Sequence, residues 1–168
     1  MNTHCYVGAT DPDRPHLVHA RSVLVNGHPS VVLPALAAIW AGNAYDTRAL
    51  ITAILAYDWQ YLDPDITATV GYAGRRPVPG VGITLAATAG GGAIDAPEPV
   101  TVFPLCHAAH LDVDWIYLIE TATATIAVHT DDGTGVRRYP LAGCLPPLAA
   151  ADRRIPQPCG PQAAGAPR

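Results

Sequence analysis

The feature that most constrains this chain is an apolar helical stripe set between segments that read as β-strands. From Val31 to Ala41, residues Leu33, Leu36, Ala37 and Trp40 recur at the spacing of one helix face. Ser30 is a good N-cap for that helix, and Pro34 lies in its first turn or just after it. Gly42-Asn43 stops it. Asp46 or Thr47 caps a second helix running to about Asp58, with Leu50, Ile51, Ile54 and Leu55 as its stripe. The two make a helical hairpin over residues 31–59. Apolar faces of this width must be buried, so the rest of the chain has to supply a partner layer.

The flanking segments supply strands. Cys5 to Gly8 and His16 to Val25 precede the hairpin, with turn chemistry at Asp11-Pro12-Asp13-Arg14-Pro15 between them and at Asn26-Gly27 after them. After Asp63-Pro64, Ile66 to Tyr72, Val81 to Thr88 and Val100 to Leu105 read as strands, and Gly74 to Gly80 and Ala89 to Pro99 as loops. Pro104 marks an edge or a strand end. Residues 115–141 predict a three-stranded antiparallel meander: Trp115 to Ile119, Thr125 to Thr130 and Val136 to Leu141, with a hairpin loop at Asp131 to Gly135. Strands and helices do not alternate, which argues against a doubly wound sheet. The expected fold is α+β: a helical hairpin on a mostly antiparallel sheet, with a C-terminal β-meander, in one domain over residues 1–145. Residues 146–168 hold six prolines and read as a disordered Pro/Ala-rich tail.

Composition narrows the function. Of 168 residues 49% are hydrophobic, enough to bury a core, and no apolar run is long enough to span a bilayer. The ten basic groups are all arginine against 14 acidic ones, a net charge of −4 with no basic cluster, which disfavours non-specific nucleic-acid binding. Lys is absent and Ala, Gly and Pro are abundant, as a high-GC bacterial genome or its viruses would encode. The start, Met1-Asn2-Thr3-His4-Cys5, has neither the basic nor the apolar region of a secretory signal. A cytoplasmic location is expected, with Cys5, Cys106, Cys144 and Cys159 as free thiols.

Three places carry possible chemistry. Asn26-Gly27-His28-Pro29-Ser30 places an imidazole at the mouth of the first helix, where free backbone N–H groups favour an anion. Turn and cap rules account for Asn26, Gly27 and Ser30 but not for His28. Cys106, His107, His110, Asp112 and Asp114 are the densest set of metal-ligating types, although HxxH alone is neither a metalloprotease nor a finger pattern. Asp58, Trp59, Tyr61, Asp63 and Asp65 gather aromatics and carboxylates, with Asp63 and Asp65 as an Mg²⁺ option and a sealed helix end as the plainer one. Arg75-Arg76 and Arg137-Arg138 are pairs of the type that clamps carboxylate or phosphate. Gly90-Gly91-Gly92 lacks the spacing of a nucleotide loop, and no GxSxG is present.

Arg21-Ser22-Val23-Leu24-Val25-Asn26-Gly27-His28-Pro29-Ser30 ahead of an apolar helix resembles a pattern in small uncharacterised proteins of bacteriophages and mobile elements, where the turn reads Asp-Gly-Tyr-Pro-Ser. Asp114-Trp115-Ile116-Tyr117-Leu118-Ile119 is similar to that group's late acidic-aromatic-x-Tyr-Leu strand. The likeness covers residues 16–60 and 112–141. Asn26, His28 and Val25 depart from it, standing where Asp, Tyr and Trp are usual. The resemblance implies a phage or accessory-genome origin and no particular reaction.

These features predict a non-enzymatic cytoplasmic accessory protein that acts through protein contacts or holds a small ligand, with no cofactor. The candidate ligand site is Asn26, Gly27, His28 and Ser30, and the partner an unknown protein or a small anion. One alternative is a metal-dependent hydrolase built on Cys106, His107, His110, Asp112 and Asp114. The other is a nucleotide- or anion-binding protein centred on His28 and the following helix N-terminus.

Overall fold

The computed structural model describes residues 3–68, 75–87 and 99–145. Its architecture is α+β, with two α-helices packed on a nine-stranded, mostly antiparallel sheet. The strands are β1 (Cys5–Thr10), β2 (Leu17–Val23), β3 (Trp59–Leu62), β4 (Arg75–Val78), β5 (Gly82–Ala87), β6 (Thr101–Pro104), β7 (Trp115–Glu120), β8 (Thr125–Thr130) and β9 (Gly135–Pro140). The sheet order is β4-β5-β3-β2-β1-β7-β8-β9, and β6 lies beside the first half of β2. Helices α1 (Pro29–Gly42) and α2 (Thr47–Leu55) connect β2 to β3. Those two strands run parallel, which a tight turn cannot achieve, so the helical hairpin serves as their crossover. β1 also pairs in parallel with β7, and the remaining pairs are antiparallel.

Both sheet faces are covered near the centre. Val7, Val23, Tyr117, Ile119, Ile126 and Val128 point toward the helices and pack with Leu36, Leu50 and Ile54. Their neighbours Val18, Ala20, Ile116, Leu118 and Ala127 point the other way and are closed over by Phe103, Ala108 and Val113. A strand buried on both faces loses polar alternation, which explains the unbroken apolar run Trp115 to Ile119 in β7. Among the described residues no helix is long and apolar enough to cross a membrane.

The expected hairpin and meander are both present, with corrections at their ends. α1 starts at Pro29, one residue before Ser30, and its N-cap is His28 instead of Ser30. Pro34 therefore falls in the second turn. Asp46 caps α2, its carboxylate accepting from the amides of Arg48 and Ala49. α2 ends at Leu55 and not near Asp58, because Asp58 is bound to β2 and Trp59 enters β3. Residues 59–62, read as a helix end, form that strand. Residues 75–78, read as loop, form β4, whose Pro77 suits its place at the sheet edge. Ile66, Thr67 and Ala68 are not strand. The rest of that expected strand, the three glycines and the tail from Pro146 lie outside the described residues.

The β8–β9 turn should make the meander pH-sensitive. Asp132 accepts from the Thr130 hydroxyl at 2.6 Å and from the Thr134 amide at 2.8 Å. These bonds hold its carboxyl down at about 2 from an ordinary value near 4. A carboxyl lowered by folding stabilises the native state above its unfolded pKa. That contribution should fade as pH falls from about 4 to about 2. Asp132→Asn should flatten this part of an acid-unfolding profile; an unchanged profile would show that the bonds do not persist in solution.

Candidate functional site

The turn at Asn26-Gly27 is built into the centre of the fold. Asn26 takes a positive φ of 63°, which Asn tolerates better than most residues. Gly27 is buried, donates its N–H to the Thr3 carbonyl at 2.8 Å and accepts from the Tyr117 hydroxyl at 2.7 Å. A Cβ on Gly27 would sit 2.8 Å from the Thr3 oxygen and 3.0 Å from the Cys5 Cβ and amide nitrogen. The glycine is thus needed for close approach to β1 and not for its φ. Burial raises the Tyr117 hydroxyl and the Cys5 thiol far above their ordinary values, the neighbouring Cys5 adding to the first and Asp114 to the second. The Tyr117 hydroxyl is held as a donor to the Gly27 carbonyl, and the Cys5 thiol is packed in the core.

The structure supplies the reason for an imidazole at position 28. His28 Nδ1 accepts from the Ser30 amide at 3.3 Å and lies 2.8 Å from the Ser30 hydroxyl, so it takes the capping role that Ser, Asp or Asn usually fills. Its ring meets Trp115 edge to face, with centroids 6.2 Å apart. Pro29 occupies the first helical position, where its missing N–H costs nothing. Removing the cap acceptor in His28→Ala should destabilise by ~1 kcal/mol, and His28→Asp should restore most of it. Gly27→Ala should cost ~1–3 kcal/mol, because the added methyl pushes on β1 backbone. Urea unfolding measures all three; a neutral Gly27→Ala would mean that the turn is not clamped to β1.

Beside this N-terminus lies an open groove of about 400 Å³. Val31, Pro34, Ala35 and Ala38 of α1 form one wall, and Leu62, Asp63, Pro64 and Asp65, at the end of β3 and just after it, form the other. Val31 is 43% exposed. Pro34 has no N–H to donate to the carbonyl of Ser30, and both residues line the groove. The groove therefore presents aliphatic surface together with hydrogen-bond acceptors and two carboxylates. Asp63 is partly engaged, accepting from the Asp65 amide at 3.0 Å. Sequence patterning singled out Ser30, Asp63 and Asp65 but not that they line one groove.

Compared with protein-family profiles, with curated proteins and with solved structures, the chain has no match.

The other candidate sets are dispersed. Leu105–His110 forms a 3₁₀ helix on which Cys106, His107 and His110 are exposed, the two imidazole centroids 6.3 Å apart. Asp114 instead clasps the residue ahead of β1: its carboxylate accepts from the His4 amide at 2.9 Å, and its own amide donates to the His4 carbonyl. Asp112 is exposed, and among the described residues no three His, Cys, Asp or Glu side chains gather as a metal site. Cys5, Cys106 and Cys144 are free thiols, and Cys159 lies outside the described residues. Arg137 and Arg138, adjacent on a strand, diverge: Arg138 pairs with Glu120 at 3.1 Å and Arg137 lies over the Tyr139 ring. Arg75 donates to Gln60.

One polar cluster was not singled out from the sequence. Arg21, 3% exposed, donates to the Leu55 carbonyl at 2.9 Å and to Asp58 at 3.2 Å. Asp58 also accepts from the Ser22 amide and hydroxyl. The cluster ties the C-terminus of α2 to β2. A signal for it existed: an arginine between Ala20 and Val23 in a strand must reach a partner or leave the sheet.

Proposed function

We propose that this chain is a non-enzymatic binding protein that engages its partner through the groove between α1 and residues 62–65. The observation that carries this reading is the groove's chemistry: exposed Val31 and half-buried Pro34, over the buried Leu62, beside Asp63 and Asp65. Pockets that hold ligands combine apolar lining with a few convergent polar groups. The charge favours an apolar occupant that carries a cation or N–H donors. An anion at the first turn of α1 would meet Asp63 and Asp65, which already complement the positive end of that helix. The groove also adjoins the turn on which the phage-protein resemblance centres, and a small accessory protein fits a role in holding partners.

The test uses the ¹⁵N-labelled chain and N-acetyl-isoleucyl-arginine amide as probe. Saturable shifts of the Val31, Ala35, Leu62 and Asp65 amides are expected. Val31→Lys, which adds bulk and a like charge at an exposed position, should abolish them and leave the unfolding midpoint within a few degrees. Shifts confined to another surface, or none at all, would overturn the reading. A titration with inorganic phosphate that moved the His28 and Ser30 amides would favour the anion-binding alternative instead.

A further inference from the structure

We propose that the groove beside α1 is engaged by this chain's own segment around Arg153-Arg154-Ile155-Pro156, so that a partner competes with it. The proposal rests on the binding reading above and names an occupant for the same site.

Charge is the first argument. Residues 1–145 contain 13 acidic and 7 basic groups, whereas residues 146–168 contain one acidic and three basic. An acidic body is thus joined to a basic segment, and opposite net charges draw the two together. Arg153 and Arg154 offer planar guanidinium donors suited to the carboxylates of Asp63 and Asp65 and to the Ser30 carbonyl. Ile155 and Pro156, next in sequence, offer the aliphatic surface that exposed Val31 and half-buried Pro34 would cover.

Reach is the second. The described chain ends at Leu145, packed with Cys144 against the core cluster that contains α1. The 14 residues of α1 span about 21 Å. The eight steps from Leu145 to Arg153 cover up to about 29 Å, more than the length of that helix.

Cys159 provides the experiment. In the full chain with Cys106→Ser and Cys144→Ser, a nitroxide on Cys159 should broaden the amide signals of Val31, Ala35, Ala38 and Asp65, with Cys5 buried away from the reagent. The broadening should be lost in Asp63→Asn/Asp65→Asn and weakened at 1 M salt, as screened ion pairs require. In the unlabelled chain, Arg153→Glu/Arg154→Glu should shift the same four amides and increase the affinity for the isoleucyl-arginine probe. Absence of broadening at the groove, or broadening that persists unchanged without the two carboxylates, overturns the proposal. If the probe binds the groove while the label leaves it unaffected, only the intramolecular contact fails; if the probe does not bind either, the binding reading fails with it.

Discussion

Asp58→Ala should cost roughly 3–5 kcal/mol, the largest effect expected of a single polar substitution here. The alanine would take the Asp58 carboxylate from the Arg21 guanidinium, 3% exposed, and the acceptor from the Ser22 amide. A buried charge that loses a counter-ion keeps its desolvation penalty with less to offset it. Asp58→Asn keeps the shape and part of the hydrogen bonding and should fall between alanine and wild type. Arg21→Met in the Asp58→Ala background should recover stability, because it removes the buried charge. Thermal unfolding would show the Asp58→Ala change as a fall of about 10 °C in a chain of this size. A fall of only one or two degrees, with no recovery in the double variant, would mean that the pair is solvated and does not tie α2 to β2.

Leu36→Ala and Ile54→Ala should each cost ~2–4 kcal/mol. Both side chains are fully buried where the helical hairpin meets the sheet. Truncation removes transfer free energy and leaves a cavity that the sheet beneath cannot close, since Val7, Tyr117 and Ile126 are fixed there by strand pairing. The two changes lie on different helices, so their sum reports whether α1 and α2 act as one layer. Losses below 1 kcal/mol for both in urea unfolding would mean that this face does not carry the fold.

Features governed by near neighbours were legible in the sequence. The stripe containing Leu36, the stop at Gly42-Asn43, the Asp46 cap and the alternation of Ile126 and Val128 against Ala127 and His129 depend on spacing within a few residues. Caps were legible less completely. Ser30 is the residue type that caps helices, yet the role fell to His28, because Pro29 starts the helix one residue earlier and the imidazole nitrogen reaches the Ser30 amide. Position 28 was thus found from sequence, while its chemistry required the folded chain.

Partner choice at long range was decided only by the tertiary structure. Nothing local to Cys5-Tyr6-Val7 announces a pairing with Trp115-Ile116-Tyr117, yet that parallel register places β1 in the middle of the sheet and Tyr117 against the Gly27 carbonyl. The short strands β3 and β4 carry too few residues to show a period, and they exist because β5 lies between them to accept their hydrogen bonds. The groove has the same origin: Val31 and Asp65 acquire a shared chemistry only once the β2–β3 crossover sets α1 beside residues 62–65. Periodicity and capping are properties of a few consecutive residues and survive in a one-dimensional reading. Strand pairing, the burial of Arg21 and the meeting of two walls depend on the free energy of contacts between distant segments, which exists only once the chain is folded.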